Sequence, residues 1–519
     1  MNRFGLAALL AIGAVCLWWQ ARGTIGLTDD SYQYLDAAAE VSSGECLCTR
    51  IVYWDEQLEA GRFPVPFTHF PPGYPLLIAL LSRFGFSLET AGLTLSIAGF
   101  LVTIWMFWRL ARGLGASAGE AFALGLLWVT HAGALSSASS IATEMPFTAA
   151  AMALAVVIVR DVRTKGSQPR LLLAIALLAG VGYWLRYAGL FLVPVAGLYI
   201  VWRAWASRRV LWAAVALSVL GAMTVSILAR NTYYTGSWRG GFKTGNSLSF
   251  KKVLIETAKS FYHLVFGDRV GARADLWTIL FAVSVALLIW LGFSSWRNGR
   301  LKPPALAAWL WIAAIVTFSV SGVIVAAMIS VAADFTRYYL PVYPMILALL
   351  AAAVSLFPAN VWRAAGLGGA VLAVLVVQAR GLGVESQTPP HVVVNRALDQ
   401  SIGTGGTGRD WLLGHTRPDE VILSINGQAL HYVLHRPVIS IIRPSLTGRP
   451  QSEAVLHGYM TKYRARYLLM FPGTEEDAGQ RAVNPFLSAL AGGSANPEWL
   501  HNAVRGDAVS IWECDSCVK

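Results

Sequence analysis

Charge is what this chain has least of. Only 13% of its 519 residues are Asp, Glu, Lys or Arg, and 55% are apolar, whereas soluble domains carry about a quarter charged residues. That excludes an ordinary soluble enzyme, whose core could not absorb so much apolar sequence, and implies a polytopic membrane protein. Acids are scarcer than bases, 29 against 41, for a net charge of +12. The excess is no nucleic-acid surface. Lys and Arg gather in short loops between apolar runs, as the positive-inside rule requires, so nucleic acid is excluded as a partner. A nucleotide loop is lacking too. The Gly-rich "GTGGTGRD" at 403–410 has no Lys followed by Ser or Thr and no strand-to-helix setting, and reads as a connector.

Apolar runs are what the chain has in abundance. A membrane helix needs about 20 apolar residues. Eleven runs approach that: 4–20, 88–109, 119–137, 145–160, 170–185, 188–204, 210–229, 275–294, 304–328, 339–357 and 361–379. The first has the basic start of a signal peptide. It ends in Trp18 and Trp19 before "ARG", a poor cleavage site, so it reads as a retained helix. With eleven spans, the basic loops at 108–113, 160–170, 203–209, 294–302 and 361–366 fall on one side. The expectation is an integral plasma (inner) membrane protein with a cytoplasmic N-terminus.

The other side receives the loops 21–87 and 230–274 and a C-terminal region. There, 420–425 and 436–442 look like strands and 452–465 like a helix. The expected fold is an all-α polytopic membrane protein of about 11 transmembrane helices with interfacial helices. It divides into a membrane domain, 1–380, and an α+β extracytoplasmic domain, 381–519. Two interfacial helices are expected, one over 73–85, too short to span, and one after Asp30.

Cys46 and Cys48 form a C-x-C in the first outer loop; Cys514 and Cys517 form a C-x-x-C at the other end of the chain. All four fall outside the cytoplasm, where disulfides persist. Bridges within each pair, bridges between the pairs, and a zinc site all fit the spacing.

The few charges on the outer face carry the chemistry. Asp29 and Asp30 follow the first span. One Asp suffices to cap a helix; two adjacent ones repel, which suits a base or a metal ligand. Glu144 opens a span. Arg186 and Arg337 lie in tight outer turns, "LRYAGLFLVP" and "RYYLPVYP", where charges near lipid tend to face a cavity. Arg230, Lys243 and Arg269 sit in the second outer loop. Carboxylates take protons or metal, guanidiniums take phosphate, and aromatics such as Tyr32, His69, Tyr74 and Tyr338 stack on sugars.

The set "TDDSYQYLDAAAEVSSG", "FPPGYPLLIALLSRFG", "LRYAGLFLVP" and "RYYLPVYP" resembles the C-type membrane glycosyltransferases, in the branch of protein O-mannosyltransferase-like and aminoarabinose-transferase-like members. The likeness covers about residues 1–380. It implies a polyprenyl-phosphate-linked sugar as donor and a glycan, lipid or protein as acceptor. It implies Asp29 as base with Asp30 as partner, and Arg186 and Arg337 as phosphate contacts; Lys243 is a loop candidate for the same role. Asp30 and Glu144 would hold a divalent metal ion, if one is used. Where many members carry a basic residue before the Pro of the second stretch, this chain has His69-Phe70-Pro71. A transporter or flippase for lipid-linked sugars is the alternative. It predicts internal repeats and charges deep within spans, neither of which is visible.

Overall fold

The computed structural model describes residues 3–22, 26–52, 61–164, 168–240, 249–266, 297, 303–329, 335–357, 361–379, 389–402, 406–441, 452–471, 485–506 and 508–518. The apolar runs fold as helices whose ends are set by local chemistry. After α1 (Arg3–Gln20) and α2 (Asp29–Ser42) come three two-residue strands, β1 (Cys48–Thr49), β2 (Ile51–Val52) and β3 (Val65–Pro66), then α3 (Gly73–Ser82). Next, α4 (Leu88–Leu114) starts where the Ser87 hydroxyl accepts from the Thr90 N–H and stops at left-handed Gly115. A Ser117–Glu120 capping box opens α5 (Ala118–Val129), and α6 (Ala132–Ala138) follows. The bundle continues with α7 (Glu144–Arg163), α8 (Pro169–Leu185), a 3-10 turn (Tyr187–Phe191), α9 (Leu192–Ser207) and α10 (Val210–Thr235).

Six helices among the described residues are long and apolar enough to cross a membrane: Leu88–Leu114, Glu144–Arg163, Tyr187–Ser207, Val210–Thr235, Pro303–Met328 and Thr336–Val354. They become seven if α5 and α6, which meet at 64°, form one broken span. The expected spans 4–20, 170–185 and 361–379 are apolar helices below that length, and 275–294 lies outside the described residues. Trp18 and Trp19, both more than half exposed, flank Arg22, whose guanidinium lies 4.2 and 4.1 Å from their rings. This is the aromatic and basic ending of an interfacial anchor.

At the α2 end of the bundle stands a six-stranded sheet in the order β2-β7-β6-β8-β10-β9. Here β6 is Ile422–Ser424, β7 Val438–Ser440, β8 Tyr467–Met470, β9 His501–Arg505 and β10 Ser510–Glu513. The first four strands run parallel; β10 and β9 are antiparallel. The strand-like segments 420–425 and 436–442 supply β6 and β7, and 452–465 supplies the helix Glu453–Tyr463. One edge comes from the first loop, with Ile51 opposite Val438 and Val52 opposite Ile439.

Side chains alternate across the sheet with the period of two that strands impose. Ile51, Ile422, Val438 and Leu469 join the core that runs on into the membrane bundle. Val52, Leu423, Ile439 and Leu468 join a separate core with Leu456 and Met460. The sheet is thus buried on both faces, as parallel sheets are.

The expected surface helix α2 is instead covered. Residues Ser31–Ala38 and Glu40 are buried, and α2 packs against α3 and the helix Gly427–Leu434. The sequence pattern was amphipathic, but what covers the apolar face is protein. The cysteines pair locally, Cys46 with Cys48 and Cys514 with Cys517. His457 stands near enough to the second pair to complete a three-donor group, the only such group among the described residues.

Candidate active site

Four chain segments meet at one end of the bundle, each delivering one charge. Thr28 is the N-cap of α2 and forms a reciprocal box with Ser31, its N–H donating to the Ser31 hydroxyl at 2.9 Å. Neither aspartate is the cap, therefore. Asp29 and Asp30 occupy the first turn, where the helix dipole favours negative charge. Asp29 is exposed and Asp30 partly exposed. Glu144 is the first residue of α7, behind Thr143, and is 1% exposed. Arg186 lies between α8 and the 3-10 turn, with extended backbone. Arg337 belongs to the short helix Phe335–Tyr339.

Arg337 joins two of the carboxylates. Its Nη2 lies 2.7 Å from Asp30 Oδ2, and its Nε donates to Glu144 Oε1. Arg186 Nη1 reaches the same Glu144 oxygen at 2.7 Å and donates to the Thr143 hydroxyl at 2.8 Å. The Tyr338 ring sits 5.6 Å from the Arg186 guanidinium. Tyr34, four residues after Asp30 and on the same helix face, is fully buried in the field of Asp30, Arg186, Glu144 and Arg337; burial first, then Asp30, pushes its hydroxyl pKa up. The i+4 spacing of Tyr34 from Asp30 is readable in the sequence of the helix expected after Asp30.

Other expected contacts sit elsewhere. Tyr74 is fully buried and donates to the Gly92 carbonyl at 2.9 Å, so it ties α3 to α4. Tyr32 is 1% exposed and bonds the Nδ1 of His391 at 3.0 Å. His69 stacks edge-on against Phe70 at 4.6 Å. Lys243 and Arg269 lie outside the described residues. Asp30 and Glu144, the expected metal ligands, each engage Arg337 through one oxygen, and no third His, Cys, Asp or Glu groups with them among the described residues.

A further guanidinium lies close to the start of the 3-10 turn. Arg230, near the end of α10, bonds the Leu47 carbonyl at 3.3 Å through Nη2, while its Nη1 is buried with no hydrogen-bond partner. It has no carboxylate partner among the described residues. The next residue, Asn231, donates to the Tyr187 hydroxyl at 3.0 Å, and Tyr187 donates to the Thr68 carbonyl at 2.7 Å. The residues that follow Arg186 and Arg230, Tyr187 and Asn231, are thereby linked. A small apolar pocket of about 10 Å³ is lined by Phe147, Phe191, Leu192, Val323, Tyr338 and Met345.

The placement of Arg186 depends on a close backbone approach. A Cβ on Gly189 would stand 2.2 Å from the Gly182 carbonyl carbon. Gly189→Ala is therefore expected to push the 3-10 turn off α8, costing about 1–3 kcal/mol and lowering thermal stability and activity together. A variant with unchanged melting and turnover would contradict that packing.

The fold is shared with several solved structures. It is similar to the crystal structure of ArnT from Cupriavidus metallidurans in the apo state (TM-score 0.58, 14% identity, 99% of this chain and 98% of that one). The form of that protein bound to undecaprenyl phosphate matches at 0.55 with the same identity and coverage. Similar too are the oligosaccharyltransferase AglB from Archaeoglobus fulgidus, in complex with an inhibitory peptide and a dolichol-phosphate (0.56, 13%, 94% and 72%), and the mycobacterial arabinofuranosyltransferase AftD (0.53, 15%, 99% and 42%). Residues 69–228 match the model of the family described as dolichyl-phosphate-mannose-protein mannosyltransferase. No curated protein sequence matches the chain.

Proposed function

We propose that this protein transfers a sugar from a polyprenyl phosphate to an acceptor hydroxyl on the extracytoplasmic face. The observation that carries the reading is the convergence of Asp30, Glu144, Arg186 and Arg337, from four separate segments, on one cluster of ion pairs beside exposed Asp29. The acceptor oxygen attacks the anomeric carbon and its proton passes to the Asp29 carboxylate. The bond from that carbon to the phosphate oxygen breaks, and its electron pair leaves on the phosphate. Asp30, held by Arg337, supplies negative charge beside the oxocarbenium-like centre without drifting toward it.

The phosphate needs cations. Arg186 and Arg337 are already matched by Glu144 and Asp30, one carboxylate for each guanidinium. Arg230 brings the unmatched charge and an open N–H, so it is assigned to the phosphate alongside them. The ArnT and AglB structures, which hold undecaprenyl phosphate and dolichol-phosphate, favour this donor class. A transporter would need its charges deep within the spans. Here Glu144 and Arg337 are at the first or second residue of theirs, and Arg186 lies just before one.

The test is transfer from a radiolabelled polyprenyl-phosphate sugar by purified protein in lipid. Arg230→Ala should raise the donor KM about tenfold, the worth of one charged hydrogen bond, with the fold intact. An unchanged donor KM would remove Arg230 from the site; absence of transfer from any such donor would defeat the reading itself.

A further inference from the structure

Asp36 lies seven residues after Asp29, two turns along the same face of α2. It is not in the ionic cluster. It faces the region beyond residue 380, where its Oδ1 meets His431 Nε2 at 2.9 Å. Its Oδ2 accepts from the Thr49 hydroxyl at 2.5 Å and the Arg50 N–H at 2.6 Å. His431 Nδ1 meets the Arg436 carbonyl at 2.6 Å. Both ring nitrogens thus face acceptors. A neutral imidazole has one N–H to offer; only the imidazolium has two. The pair is therefore a buried ion pair, with side chains 6% and 9% exposed.

Buried ion pairs are weak sources of net stability, and apolar residues of similar size serve a core as well or better. They do demand a fixed geometry. This one sits where the helix bearing Asp29 and Asp30 meets the sheet-bearing region, and it does not act alone. Tyr32, on the same helix, bonds both Nδ1 and the backbone N–H of His391, at 3.0 and 3.1 Å. Tyr432, next to His431, donates to Glu89 at 3.2 Å. Nine residues beyond the end of α2, β2 begins as an edge of the sheet beside β7. The loop that starts at Asp29 is pinned to the C-terminal region at Tyr32, Asp36 and Ile51.

We infer that Asp36 and His431 are a positioning pair, through which the C-terminal region sets where α2 presents Asp29 and Asp30 to the substrates. This rests on the reading of Asp29 and Asp30 as reacting groups. Removing either partner leaves α2 anchored but free to shift along its axis, and the reaction feels the shift while donor binding does not.

The pair also carries a pH dependence. Burial would lower the His431 pKa, but Asp36 outweighs it and holds the value up; burial would raise that of Asp36, but His431, Thr49 and Arg50 hold it down. His431 therefore contributes below its ordinary value, and its contribution is lost as pH rises through the raised one. The Asp36 contribution is present above its ordinary value and is lost only as pH falls through the lowered one. Arg50 faces the pair and opposes the imidazolium, and is itself engaged by Glu40 at 2.7 Å. Arg436 offers only its carbonyl, its guanidinium being turned to Thr416. His391, Tyr432 and Glu89 are the titratable groups of the adjoining contact.

The experiment uses the full chain in lipid and reads two things: sugar transfer against pH, and amide hydrogen exchange over 29–42. Asp36→Asn and His431→Ala should each lower kcat about tenfold while leaving the donor KM within about twofold, and should speed exchange in α2. His431→Gln keeps one N–H for Asp36 and cannot titrate. It should recover most of the turnover and lose the fall in rate at high pH. Folded variants with wild-type turnover and wild-type exchange would overturn the inference, as would a His431→Gln enzyme that keeps the wild-type fall in rate. If His431→Ala does not fold, His431→Gln decides through its pH profile. If the wild type transfers no polyprenyl-phosphate sugar, the functional reading falls, and exchange alone still decides whether the pair holds α2.

Discussion

Asp29→Asn is expected to lower sugar transfer between about a hundredfold and ten-thousandfold, the usual worth of a positioned general base, without lowering thermal stability. The two halves come from different features. Asp29 is exposed at the first position of α2, where the dipole favours its charge but Thr28 and Ser31 make the cap. Losing the carboxylate costs the helix only a fraction of a kcal/mol. The chemical loss is large because an amide cannot accept the acceptor's proton. Asn retains the shape and can still hydrogen-bond a sugar hydroxyl, so donor binding should persist. The readout is initial rate at saturating donor, beside a melting curve. A folded variant with near-normal turnover would remove Asp29 as the base and leave Asp30, its neighbour, to be tested in the same way.

Arg337→Ala should be more damaging to the fold. One guanidinium ties Asp30, on the first outer loop, to Glu144, at the head of α7. Glu144 is 1% exposed, and its Oε2 is already without a hydrogen-bond partner. Stranding a buried carboxylate in this way costs about 3–5 kcal/mol. The figure applies in full only to the Glu144 arm, because the Asp30 arm is partly solvated and screened. Arg186 remains on Glu144 and limits the damage. The expected result is a lower melting temperature together with a loss of transfer of about a hundredfold or more. Arg337→Lys restores the charge but not the fork that reaches two carboxylates at once, and should recover stability better than activity. Wild-type melting and turnover in Arg337→Ala would show that the bridge carries neither.

The charged half of this site was legible because charge is so rare. A pair of aspartates at the exit of an apolar run, and single arginines in turns with almost no loop, stand out in a chain whose other arginines lie in the basic loops, the two large loops and the C-terminal region. Which acid meets which base was not legible, since Arg337 and Asp30 are 307 residues apart and only the fold brings them together. The amphipathic pattern of α2 was visible, but a pattern shows that one face needs cover, not whether lipid or protein supplies it. Tyr74 looked like a ligand because it lies in a conspicuous Pro-rich stretch; its hydroxyl is used up on a neighbouring helix. The strand Ile51–Val52 is too short for any periodicity and exists only because β7 offers it an edge. The break between α5 and α6 was likewise hidden. The run 119–137 is apolar enough to read as one helix, and nothing in its pattern marks the His131 side chain that caps α6 by accepting from the Ala134 N–H.

Electron cryo-microscopy of the purified protein in lipid with bound polyprenyl phosphate tests the convergence most directly. The phosphate is expected within ion-pair reach of Arg230 and Arg337, beside Asp29 and Asp30, with its prenyl chain running between the apolar helices. A phosphate bound at the opposite end of the bundle, near Asp161 and Arg203, or Asp30 and Arg337 found apart in that map, would contradict it.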